Sequence, residues 1–267
     1  MKIAFIGGGN MGEAMLAAAI HRDLAAPGDA TSVSDISTVR RDHLGSKYGV
    51  AVTEGNSDAI AGKEVVVLAI KPQNLAEVMA GLDGSLKPNQ LVLSIVAGAR
   101  IDTLCQGLNH QSIVRSMPNT PAQVGEGISA WTATSSVTEQ QMRWARSILG
   151  AMGKEIYFND EKYLDMATAI SGSGPAYFFL FVESLVESAV QIGLPRDTAQ
   201  ELVLQTMIGS ARLIRESGKS PAELRKLVTS PGGTTAEALS QFEKGGFSQL
   251  VKQAVTAAYE KAKQLGS

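Results

Sequence analysis

"IAFIGGGNMGEAM", residues 3–15, decides the fold. Four residues of apolar character run into Gly7, Gly9 and Gly12, a G-x-G-x-x-G spacing that closes a strand and opens a helix. Each glycine has its own reason. Gly7 permits the tight turn, Gly9 lets the backbone approach a diphosphate, and Gly12 lets the helix pack close on the strand. The helix start adds free N–H groups and a partial positive charge that favour an anion. Taken alone, the spacing is also met by a plain strand-to-helix turn. Its place at the head of an alternating strand–helix series makes a dinucleotide site the reading adopted.

Outward from it, "KIAFIG" (2–7) reads as a strand and Asn10 to about Leu24 as a helix. "TSVSD" (31–35) is a strand, 37–48 a helix, "EVVVLAI" (64–70) a strand, and Gln73 to about Leu82 a helix. "LVLSIV" (91–96) and "SIVRSM" (112–117) are further strands. A helix over 138–149 opens with a Thr138–Gln141 capping box, and "KEIYF" (154–158) closes the half. Continuous β-branched runs, rather than strict alternation, predict a parallel sheet covered on both faces.

Beyond Asp160 the pattern is helix upon helix. The stretch 174–194 has Pro175 in its first turn and Gly193 near its end, and Pro195 admits a helix to about Glu216. "SPAE" (220–223) is another capping box, and Gly245-Gly246 separates the last two helices. The expected architecture is α/β: a Rossmann-like dinucleotide-binding domain over 1–159, then an all-α domain over 160–267.

Composition narrows the function. A hydrophobic share of 44% supports a real core, and a net charge of −2 with a pI near 6.0 gives no reason to expect a nucleic-acid partner. Arg40-Arg41 reads as part of a solvated helix face. One cysteine, Cys105, excludes an intrachain disulfide and reads as a small core residue; no metal-ligand spacing occurs. No basic region followed by an apolar stretch opens the chain, and "PAYFFLFV" (175–182) stops at Glu183, short of a membrane span. A cytoplasmic protein with no membrane association is therefore expected. Residues 176–192 are apolar nearly all round, yet a helical half of roughly a hundred residues has little interior. Burial against a second copy predicts a homodimer through the helical domain.

Ser34 and Asp35 stand where the adenosine ribose is read. An aspartate on the ribose hydroxyls favours NAD, whereas a serine with Arg40 or Arg41 nearby accepts a 2′-phosphate; Asp35 also suits a helix N-cap. His21, His43 and His110 lie in no motif and read as surface or packing residues. Lys71, after the strongest strand, is better placed for a ligand, although an ordinary strand-end lysine reads the same way. A nicotinamide enzyme without an evident acid/base group points to a substrate already electrophilic, such as a protonated imine. A second glycine cradle, "VTSPGGTTAEAL" (228–239), runs into a helix start, with Thr234 spaced from Glu237 as a capping box.

"FIGGGNMG" (5–12), "AIKPQ" (69–73), "MPNTP" (117–121), "SGSGPAY" (171–177) and above all "LVTSPGGTTAEAL" (227–239) give the chain its resemblance, over essentially its whole length, to the Δ1-pyrroline-5-carboxylate reductases. That family makes proline in the last step of its biosynthesis. The resemblance implies a Rossmann-like domain, a helical domain forming an interlocked dimer, and assembly of dimers into a decamer. It implies NADP(H) as cofactor, with NAD(H) as the alternative, held by Gly7, Gly8, Gly9, Asn10, Met11 and Gly12. Ser34 and Asn56 would serve the adenosine end, and Ala69, Ile70, Lys71, Pro72, Val96, Ala97 and Gly98 would run along the cofactor. Substrate would be held by Ser230, Gly232, Gly233, Thr234 and Thr235, with Glu161 near the pocket. Many members carry another residue where this chain has Asp35, and some carry asparagine where it has Leu227; the first departure leaves the coenzyme open.

On this reading the first cradle takes the dinucleotide diphosphate and the second takes the substrate carboxylate, with Thr235 donating a proton to the imine nitrogen. Two rivals remain. A β-hydroxyacid dehydrogenase would use Lys162 and leave the 228–239 loop unexplained. A non-catalytic NADP sensor would bind cofactor without turnover.

Overall fold

A computed structural model describes residues 1–266, which divide into two compact units: Met1–Ser173 with the stretch from Ala258 onward, and Gly174–Ala257. The first unit opens with β1 (Ile3–Ile6), α1 (Asn10–His21), β2 (Gly28–Ser34), α2 (Thr38–Tyr48), β3 (Val50–Thr53), α3 (Asn56–Ile60), β4 (Val65–Leu68) and α4 (Leu75–Leu82). It continues through β5 (Leu91–Ser94), α5 (Ile101–Gly107), β6 (Ile113–Met117), β7 (Gly127–Ala133), α6 (Glu139–Ala151), β8 (Gly153–Tyr157) and α7 (Lys162–Ala167).

The strands form one sheet in the order β3-β2-β1-β4-β5-β6-β7-β8. β1, β4 and β5 are buried along their whole length, as expected of strands covered on both faces. Alternation along β1 sends Ile3 and Phe5 into one cluster with Leu16, Leu44 and Trp131, and Ala4 and Ile6 into another with Leu82 and Leu104. The strand order reverses between β1's neighbours β2 and β4, and ligands bind in such sheets beyond the strand ends at that point. The register Ile6↔Leu68 sets Gly7 beside Ala69 there.

Two features correct the sequence reading. β3, α3, α5 and β7 were not expected. β7 runs antiparallel to β6, with Ser116 opposite Trp131, so the sheet is not wholly parallel. The Thr138–Gln141 capping box is formed as expected.

The second unit contains α8 (Gly174–Gln191), α9 (Arg196–Glu216), α10 (Pro221–Leu227), α11 (Thr234–Lys244) and the start of α12 (Phe247–Leu265). The Ser220–Glu223 capping box forms, but the one expected at Thr234–Glu237 does not. Gly233 is the N-cap, so Thr234 already lies inside the helix and Glu237 instead accepts from Gln241 at 2.9 Å. On α8, Phe178, Phe179 and Leu180 are 59%, 64% and 64% exposed in the single chain. By length and composition the stretch Lys162–Gln191 would suit a membrane crossing, with a mean hydropathy of 1.3 over its best 18 residues. The apolar run read from sequence was shorter, because α7 and the π-helical turn Thr168–Gly172 extend the helical stretch upstream.

Candidate active site

The first glycine loop has the geometry its spacing demands. Gly7 has φ +98°, and a Cβ there would stand 2.6 Å from Ala69 O. A Cβ on Gly12 would collide with Gly7 O. Gly9 is different: its Cβ would meet nothing within 4 Å, so the space beside it is open. Gly9 is also the N-cap of α1 and makes no side-chain cap. The first-turn amides of Asn10, Met11 and Gly12 therefore have no side-chain acceptor from the cap, the state in which a helix start takes an anion. These residues fit a dinucleotide diphosphate.

A groove of about 580 Å³ lies beside the loop, within the usual range for small-molecule sites. Gly9, Asn10, Met11, Ala69, Ile70, Lys71, Pro72 and Ala97 line it, which brings together residues from both predicted strand ends. Ile95, Met117, Pro118, Asn119, Thr120 and Gly172 complete it. Met117–Thr120 and Gly172 fall in "MPNTP" and "SGSGPAY", two motifs of the family resemblance that were assigned no site residue, and Ile95 falls in the "LVLSIV" run. Lys71 is exposed beside this groove. Val96 is 2% exposed and belongs to the core, while Gly98 (φ +76°) packs against the end of α12, where a Cβ would stand 2.6 Å from Leu265 O.

At the end of β2 the side chains are engaged with protein. Ser34 is 1% exposed and donates to Asn56 Oδ1 at 2.7 Å. Asp35 Oδ2 accepts from the buried Gly8 amide at 2.8 Å and Oδ1 from Ser37 N at 2.8 Å. The N-cap of α2 is Ser37, not Asp35. Arg40 and Arg41 do not form a solvated face, contrary to expectation. Arg40 donates to Gly8 O and pairs with Glu13, and Arg41 donates to Asp35 O and pairs with Glu54.

Glu13 gathers α2 onto α1. It accepts from Arg40 at 2.6 Å, from Lys47 and Tyr48 at 3.0 Å each, and lies 3.1 Å from His43 Nε2. Burial pushes its carboxyl up, and these hydrogen bonds outweigh burial and bring it down to about 2. The partners lie some thirty positions away, so sequence spacing gave no signal of them.

Glu161 sits in a second ionic cluster. Its Oε1 accepts from Ile101 N at 2.9 Å and from Arg115 at 2.7 Å. Arg115 also pairs with Asp165, which Arg100 approaches at 3.4 Å. Arg115, Asp165 and Glu13 are residues that sequence reasoning missed.

The second cradle belongs to the other unit. Gly232 takes φ +70°, Gly233 N donates to Ser230 O at 3.0 Å, and α11 starts at Thr234 without a side-chain cap. Ser230 and Thr234 are exposed and Thr235 is half-buried. The three histidines stay out of both cradles' hydrogen bonding: His110 is buried and bonded to Gln90 O at 2.7 Å, and His43 faces Glu13. Lys162, the rival's catalytic candidate, is exposed and paired with Asp160. Cys105 is half-buried beside the second core cluster. Among the described residues no cluster suited to a metal ion occurs.

The family model described as pyrroline-5-carboxylate reductase dimerisation matches residues 161–265. That described as NADP oxidoreductase, coenzyme F420-dependent, matches residues 2–98. The pyrroline-5-carboxylate reductase of Pseudomonas aeruginosa is 40% identical over 265 residues, covering 99% of this chain and 96% of its own. That of Synechocystis is 41% identical over 266 residues, covering 100% and 98%. A pyrroline carboxylate reductase of Plasmodium falciparum, solved with NADP bound, matches with a TM-score of 0.91 at 32% identity, covering 100% of this chain and 98% of that one. The chain belongs to the pyrroline-5-carboxylate reductase family.

Proposed function

We propose that this chain reduces Δ1-pyrroline-5-carboxylate to L-proline, the last step of proline biosynthesis, with a nicotinamide dinucleotide as reductant. Family membership along the whole chain supports the reaction. The observation that carries the site assignment is the matched pair of helix starts, α1 after Gly9 and α11 after Gly233, each lacking a side-chain cap.

The diphosphate is assigned to the amides from Gly9 to Gly12, and the nicotinamide half to the groove walls at Ala69–Pro72 and Ala97. NADP(H) is the coenzyme proposed, supported by the NADP-bound relative and the NADP oxidoreductase match. When bound, the cofactor supplies a hydride to the imine carbon. The substrate carboxylate is assigned to the first-turn amides of α11 with Ser230 and Thr234. A carboxylate fixed there leaves the ring little rotational freedom, which is the orientation part of catalysis. Thr235, one residue further into the helix, is assigned as the hydroxyl that protonates the imine nitrogen or keeps it protonated. Glu161 is retained as a residue near the substrate, held by Arg115.

The working unit is proposed to be a homodimer through the helical unit, a cover for the exposed face of α8 that the dimerisation match supports. Assembly into a decamer and a cytoplasmic location complete the proposal. Proline-dependent reduction of NADP⁺ at alkaline pH tests it. A hydroxyacid dehydrogenase would ignore proline, and a sensor would turn over nothing.

A further inference from the structure

The backbone of Gly8 is held at both its N–H and its carbonyl. Its N–H donates to Asp35 Oδ2 at 2.8 Å, and its carbonyl accepts from Arg40 Nε at 2.9 Å and from Arg40 Nη2. Arg40 is braced in turn by Glu13 Oε2 at 2.6 Å. Glu13 lies on the first turn of α1, immediately after the loop, so the brace closes on the element the loop feeds. The loop also lies flat on α2, because a Cβ on Gly8 would stand 2.5 Å from Leu44 Cδ1.

An acidic residue at the end of the second strand ordinarily selects NAD by bonding the ribose hydroxyls, and an arginine nearby ordinarily accommodates a 2′-phosphate. Here both kinds of side chain are committed elsewhere. Each oxygen of Asp35 already accepts a backbone amide, from Gly8 and from Ser37. Arg40 is committed to Gly8 O and Glu13, and Arg41 to Asp35 O and Glu54. A planar guanidinium suits the task, because it reaches a carbonyl and a carboxylate together, which an ammonium does less well.

From this geometry we infer that Asp35 and Arg40, with Glu13 behind Arg40, are positioning residues. They hold the two peptide groups flanking Gly8 so that the amides from Gly9 to Gly12 face a diphosphate, and they set the affinity for both coenzymes without choosing between them. This rests on the assignment of the loop to the dinucleotide.

The test is direct binding of NADPH and NADH to the full-length protein, read by nicotinamide fluorescence well below the unfolding midpoint. Arg40→Met should raise Kd for both coenzymes by about tenfold, the scale of a charge-assisted hydrogen bond, and leave their ratio unchanged. Arg40→Lys should recover only part of the loss. Asp35→Ala should likewise weaken both in parallel. Loss confined to NADPH in Arg40→Met would make Arg40 a 2′-phosphate ligand and overturn the inference. A shift of preference toward NADPH in Asp35→Ala would overturn it too, as would unchanged binding in Arg40→Met. Should Arg40→Met fail to fold, Glu13→Gln, which leaves Arg40 in place, must show the same parallel loss or the inference fails. Gly9→Val separates the two levels: if it still binds coenzyme, the loop assignment itself is wrong. If it loses binding while Arg40→Met keeps it, only the positioning role falls.

Discussion

Arg115 on β6 and Asp165 on α7 form a 3.0 Å ion pair in which both side chains are only 5% exposed. Glu161 takes another guanidinium nitrogen at 2.7 Å, so one arginine fixes both carboxylates of the segment that opens α7. Removing Arg115 would leave the buried Asp165 without its charge partner. Arg115→Met should therefore destabilise the protein by roughly 3–5 kcal/mol, the usual cost of breaking a buried pair from one side. Urea denaturation followed by fluorescence checks this; a loss below about 1 kcal/mol would contradict the burial argument.

Glu13 gives a pH signature with a definite sign. Its folded-state value of about 2 lies below the ordinary 4.5, so its contribution to stability is present above about 4.5 and is lost as pH falls through about 2. The urea midpoint of the wild type should exceed that of Glu13→Gln throughout about pH 5 to 8. The margin should narrow once the pH drops below about 4.5. A margin that does not change down to about pH 3 would refute the ionic reading of this cluster.

How much of this was legible in the sequence depends on the range of the interaction. β1, β4 and β5 announced themselves because strands buried on both faces are unbroken apolar runs. β7, "GISAWTA", contains a glycine, a serine and a threonine, and its antiparallel place in the sheet follows from pairing rather than pattern. β3 is four residues at the sheet edge, too short for periodicity to speak. The glycine loop, the strand ends after β4 and β5 and the α11 start were readable because each is local. The Gly8 clamp and the Arg115 cluster were not, since their partners come from distant stretches of chain. The Thr234 cap failed by one residue: Gly233 takes the extended N-cap conformation, which puts the threonine inside the helix.

That one-residue shift changes a mutational expectation. Because Thr234 is not a cap, Thr234→Ala should cost less than about 0.5 kcal/mol of stability and act mainly by raising KM for the imine. Thr235→Ala should lower kcat by at least ~10-fold, the weak end of the range for a positioned proton donor, with NADPH affinity unchanged. Full kcat with a raised KM in Thr235→Ala would reassign Thr235 to carboxylate binding.

Phe178, Phe179 and Leu180, exposed on successive sides of α8, predict that the isolated chain does not persist in solution. Sedimentation at low micromolar concentration should show a dimer or a larger assembly. Phe179→Glu should shift the protein toward monomer and reduce activity with it. A wild-type monomer with full activity would remove the basis for the dimer.

We propose that two uncapped helix starts serve one reduction, one for the dinucleotide and one for the carboxylate of a cyclic imine. It is tested most directly by mixing the purified protein with Δ1-pyrroline-5-carboxylate and NADPH and measuring both coenzyme oxidation and L-proline formed. One proline should form for each NADPH consumed, with turnover abolished in Gly9→Val. Tight NADPH binding by the wild type with no proline formed would contradict it.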